Sequence, residues 1–149
     1  MTLTVELQQV SESAALLSEA QLQTWLDTCF PEASDFSLVV RVVDEEESQS
    51  LNSQYRGKDY PTNVLSFPFD VPEGVPLEHL GDLVMCAPVV AREALEQNKI
   101  EWQHWAHLLI HGVLHLQGYD HINDTEAEEM EALEVKKLAG MGISDPYLA

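Results

Sequence analysis

Five of the six histidines fall between residues 104 and 121, in the run HWAHLLIHGVLHLQGYDH. His111 and His115 are four residues apart, so on a helix both rings project from one face and can share one metal ion. Gly118 follows three residues later, where it can end such a helix in a left-handed turn. His121 comes three residues after the glycine. The whole pattern, H-x-x-x-H-x-x-G-x-x-H, has the spacing of the three-histidine zinc site of metzincins. Three neutral imidazoles favour Zn2+, one ion per chain, although nickel, cobalt and copper accept the same ligands. Three protein ligands leave a fourth position for water, the mark of a catalytic site. Water acidified there to a pKa of ~7 would provide hydroxide at neutral pH.

The residue after the first histidine narrows the chemistry. In H-E-x-x-H enzymes it is the general-base glutamate; here it is Gly112. A zincin-like peptidase is therefore disfavoured, and the general base stays unassigned. The site suits a reaction in which metal and positive charge do most of the work. Phosphodiester hydrolysis qualifies, because its transition state spreads negative charge over non-bridging oxygens. Asp120 could orient an imidazole from behind or serve only as a turn residue. His104 lies within about 40° of His111 and His115 around the helix axis but a turn or two away. It is a candidate substrate contact rather than a ligand, and His107 is weighed alike. His79, in a loop, reads as solvated.

A second stretch, NSQYRGKDYPTNVLSFPFD over residues 52–70, holds Arg56 and Lys58, two of only seven Lys and Arg. A lone exposed arginine is commonly a solvated charge. Beside a metal site it would instead hold a phosphate through paired hydrogen bonds.

These residues need a frame to bring them together. Leu3, Val5 and Leu7 alternate with polar residues as in a half-buried strand. Ser18 with Gln21 caps a helix whose apolar stripe is Leu22, Trp25 and Leu26. Residues 36–43 form a second strand, and Asp44 with Glu47 caps a helix to about Gln54. Residues 63–69 form a strand that Pro68 confines to an edge or a bulge. Residues 70–79 form a loop, and Leu83 to Met85 a short fourth strand. Pro88 opens a helix to about Asn98, and Glu101 to Gln117 form the histidine helix. Asn123 with Glu126 caps a last acidic helix ending near Gly140. The order β-α-β-α-β-β-α-α-α is α+β, a small mixed sheet of about four strands with helices packed on it. One domain over residues 1–149 is expected from the length.

Asp and Glu total 26 against 7 Lys and Arg, a net charge of −19. That excludes a generic nucleic-acid binder, whose affinity comes from cations on phosphates. Two cysteines outside any C-x-x-C pattern, no basic-then-apolar leader and no long apolar run suggest a cytoplasmic chain with reduced thiols and no membrane partner. Six acids between Asp124 and Glu134 and four from Asp44 to Glu47 are read as solvated faces open to basic partners. A local positive cleft of metal, Arg56 and Lys58 is expected on this acidic body.

The segments YRGKDYPTNVLSFPF and HGVLHLQGYDH, joined by GDLVMCAPVV, resemble the YbeY family of bacterial endoribonucleases, and the likeness spans roughly residues 36–147. The resemblance implies a single-strand-specific, metal-dependent endoribonuclease active in 16S ribosomal RNA 3′-end maturation and late-stage 70S ribosome quality control. It implies that His111, His115 and His121 bind zinc and that Arg56 is the essential cleft arginine. Asp82 is implied as a contact for a small-subunit ribosomal protein or as a residue shaping the cleft. RNA rather than DNA is the expected substrate. The alternative is a ribosome-assembly factor that works by docking and whose metal is chiefly structural.

Overall fold

The computed structural model describes residues 3–11, 17–30, 36–68, 79–119 and 124–147. Strand β1 (Leu3–Gln9), helix α1 (Glu19–Cys29) and strand β2 (Phe36–Val43) are followed by α2 (Glu45–Arg56), β3 (Val64–Pro68) and β4 (His79–Cys86). Helices α3 (Ala87–Glu96), α4 (Glu101–Leu116) and α5 (Asp124–Ala139) complete the order, as the periodicity predicts. Among the described residues, no helix is long and apolar enough to cross a membrane.

The sheet order is β1-β2-β4-β3, with β1, β2 and β4 parallel and β3 antiparallel to β4. Pro68 thus sits on an edge strand, where its missing N–H costs no ladder bond. Strand β4 is longer than its apolar centre suggests and starts at His79. The β2–β4 register shifts between Ser37 and Leu38. Gly81 stands there with φ +153°, and a Cβ on it would lie 2.5 Å from the Phe67 carbonyl oxygen. Only glycine fits that approach.

Helix α4 buries eleven of its sixteen residues, so it runs through the centre of the core rather than along one side. Leu109, Ile110, Val113 and Leu114 join Leu38, Val40, Leu83 and Met85 in one apolar cluster. Gly112 faces the sheet: a Cβ on it would lie 2.8 Å from Leu83 Cδ2, and Leu83 is fully buried. The glycine that stands where a protease would carry its base is thus also a point of close helix–sheet approach. Gly112→Ala is expected to lower unfolding stability by about 1–3 kcal/mol through overpacking, readable in urea melts. An unchanged midpoint would show that Leu83 moves aside freely.

Ser18 caps α1 as read, its hydroxyl accepting from the Gln21 N–H at 3.1 Å. Asp44 stands at the N-cap of α2 but makes no cap hydrogen bond; it accepts instead from the Ser11 hydroxyl at 2.5 Å. Glu47 is not a reciprocal capping residue, because both its oxygens are held by the Arg41 guanidinium. Asn123 lies outside the described residues.

Candidate metal centre and cleft

One turn of α4 brings His111 and His115 together, their Nε2 atoms 3.1 Å apart and their rings edge-on at 4.6 Å between centroids. Two nitrogens on one tetrahedral zinc ion stand about 3.3 Å apart, given Zn–N bonds of ~2.05 Å. The separation therefore matches a pair of ligands on one ion. Helix α4 ends as expected. Gln117 is the C-cap, Gly118 takes φ +99°, and the Gly118 and Tyr119 N–H groups close on the His115 and Leu114 carbonyls. His121 and Asp120 lie outside the described residues, and among those described no third ligand joins the pair.

Behind the pair stands a residue that the acidic pattern of α5 concealed. Glu134 is fully buried. Its carboxylate takes hydrogen bonds from His107 Nε2 at 3.2 Å, from His111 Nδ1 and from the Tyr147 hydroxyl. Burial pushes its pKa up, but the bonds from His107, His111 and Tyr147 outweigh that and hold it at about 2. An ionised carboxylate only accepts, so His111 must donate from Nδ1. A neutral His111 then turns the lone pair of Nε2 toward His115, the tautomer a metal ligand needs. Glu134 is thus not part of a solvated acidic face, as its neighbours suggest. His107 takes part in this network and does not line up with the pair as a ligand.

His111, His115 and Arg56 line one cavity of about 1050 Å³. Its walls come from the end of α2, the edge strand β3, the face of α4 that carries His107, His111 and His115, and the C-terminal segment near Tyr147. Arg56, the last residue of α2, is exposed. The second cation lining the cavity is Lys99, at the turn after α3; Lys58 is exposed but is not a lining residue. His104 lines the cavity but is 3% exposed, with Nε2 held by Glu93 Oε1 at 3.0 Å.

Asp82 stands on the other side of the sheet. Leu83 packs on Gly112, and successive strand residues alternate in direction, so the exposed Asp82 faces away from α4. It is held by His79 Nε2 at 2.9 Å, and His79 Nδ1 meets the Ser37 hydroxyl at 3.0 Å. His79 is therefore a bridging strand residue and not a solvated loop side chain.

The Glu93 carboxyl is raised by burial, but hydrogen bonds from His104 and Asn63 outweigh this and leave it below its ordinary 4.5. A depressed folded-state pKa stabilises above the unfolded value, and the stability is lost as pH falls through the folded one. Glu93→Gln should therefore lose less thermal stability than the parent as pH falls below the ordinary 4.5. Equal losses would show that the pair does not hold Glu93 ionised.

Comparison with known proteins places the whole chain. The family model described as Endoribonuclease YbeY matches residues 5–142. An Endoribonuclease YbeY of Colwellia psychrerythraea is 54% identical, over 97% of this chain and 96% of that protein. The solution structure of the Thermotoga maritima protein TM1509 superposes with a TM-score of 0.66 at 30% identity, covering 97% of this chain and 99% of that one. With the family model spanning nearly the whole chain, including the α4 histidine pair and Arg56, the protein belongs to the endoribonuclease YbeY family.

Proposed function

We propose that this chain is a zinc-dependent endoribonuclease that cuts single-stranded RNA in the cleft between α4, β3 and the end of α2. The observation that carries the reading is the opposed pair His111 and His115, with His111 held in the metal-binding tautomer by Glu134 and Arg56 on the same cavity. His111, His115 and His121 would hold the ion. When bound, it supplies Lewis acidity and lowers the pKa of a coordinated water.

The other steps belong to the chain itself. Arg56 presents a planar, permanently charged donor to the scissile phosphate and stabilises the negative charge that develops there. Glu134 and Tyr147 fix the His111 ring, so that no reorganisation is needed when substrate binds. The packed wall of α4 excludes water from one side of the cleft. In the cell the substrate is ribosomal RNA, at the 16S 3′ end and in late-stage 70S quality control, in the cytoplasm alongside small-subunit proteins.

Arg56→Ala tests the reading. It should lower kcat/KM on single-stranded RNA about 10²–10³-fold, the usual effect of losing one donor to a developing oxyanion, with metal content unchanged. Parental cleavage by that variant would remove Arg56 from the chemistry.

A further inference from the structure

The cavity is poor in positive charge and rich in aromatic rings. Apart from its histidines, its lining offers two cations, Arg56 and Lys99, with Glu93 opposing them. Three of the chain's four tyrosines line the same cavity: Tyr55, Tyr119 and Tyr147. All are exposed, Tyr55 at 60%, Tyr119 at 36% and Tyr147 at 45%. Large exposed rings in one concave site are unusual enough to call for a ligand. Tyr55 is steadied by an edge contact with Phe67, centroids 5.1 Å apart at 74°, so that little freedom is lost when something packs on its face. Tyr147 is already committed through its hydroxyl to Glu134. Tyr119 follows the glycine turn beside His115.

We infer that Tyr55 and Tyr119 are base-stacking platforms, and that the cleft holds single-stranded RNA mainly by its unstacked bases rather than by its phosphates. The inference rests on the ribonuclease reading above and adds to it the residues that grip the substrate. Every base has a π-face, so stacking tolerates any sequence while requiring bases that are not paired. It also gives a body of net charge −19 a way to hold a polyanion without a field of lysines. Duplex RNA offers no free base faces and brings its full phosphate charge against that body.

The test is fluorescence anisotropy of a labelled ten-nucleotide single-stranded RNA with a phosphorothioate backbone, using the metal-loaded protein over a salt series. Two phosphate contacts on a single strand give a slope of log affinity against log salt of about −1.4, at ~0.7 per contact. Affinity should then fall about sevenfold between 50 and 200 mM salt. Tyr55→Ala and Tyr119→Ala should each weaken binding about tenfold or more, while Tyr55→Phe and Tyr119→Phe stay within about threefold, since the ring is kept. Both side chains are exposed, so the variants should fold, and circular dichroism checks this.

A slope of about −3 or steeper, alanine variants that bind like the parent, or no binding at all would overturn the inference. Cleavage measured in parallel separates it from the reading beneath it. Tyrosine-dependent binding without cleavage would sink the nuclease reading and keep the platforms. Cleavage that is indifferent to both tyrosines would do the reverse.

Discussion

His115→Ala is expected to strip the protein of its metal and to lower RNA cleavage on the order of a thousandfold, with little change in folding. The first effect follows from geometry. His115 Nε2 lies 3.1 Å from His111 Nε2, so removing one ring halves the described part of the ligand set. The second follows from magnitude: a metal ion stabilises transition-state charge by several kcal/mol, and each ~1.4 kcal/mol is tenfold in rate. The fold should survive because α4 is held by Leu109, Ile110, Val113 and Leu114 in the apolar core. His115 itself is only partly buried, and substitutions at such sites shift stability by about 1 kcal/mol or less. Metal analysis, cleavage kinetics and urea melts of the metal-free proteins read the three effects. Unfolding of the variant would instead favour a chiefly structural metal and a protein that works by docking.

Glu134 should show the opposite balance, a large cost in stability together with a cost at the site. Glu134→Ala leaves His107, His111 and Tyr147 facing a void with no acceptor. A buried donor left without its acceptor costs about 1–3 kcal/mol, and three share this one carboxylate. Glu134→Gln keeps the volume but turns one acceptor into a donor, against three groups that must donate. It should fold with a smaller penalty and bind metal about 10–100-fold more weakly, as losses behind a metal ligand do. Competition with a zinc chelator measures the affinity. Parental affinity in a folded Glu134→Gln would show that His111 is oriented without its carboxylate.

Much of this frame can be read from the residues, because it rests on local patterns. The β-branched run 36–43 can only be a buried strand, Pro68 belongs at an edge, and Gly118 ends α4 with the positive φ that its spacing requires. The His111/His115 pair follows from helical periodicity alone. What escaped depends on contacts far apart in sequence. The sheet order puts β4 between β2 and β3, and no local signal distinguishes that from a meander. Glu134 was hidden among the solvated acids of α5, yet it shares a stripe of spacing four with Met130 and Leu138, both buried. An acid on an apolar stripe was the missed signal. Lys99 joins the cleft and Lys58 does not, because the turn after α3 folds toward β3 while Lys58 follows Gly57, where φ of +69° turns the chain at the end of α2.

The most direct test of the whole reading is the metal content of the purified protein, paired with cleavage of single-stranded RNA before chelation, after it, and after zinc is returned. The predicted result is about one equivalent of divalent metal per chain, loss of cleavage on its removal and recovery with zinc. Protein that contains no metal and cleaves RNA at an undiminished rate would contradict the account.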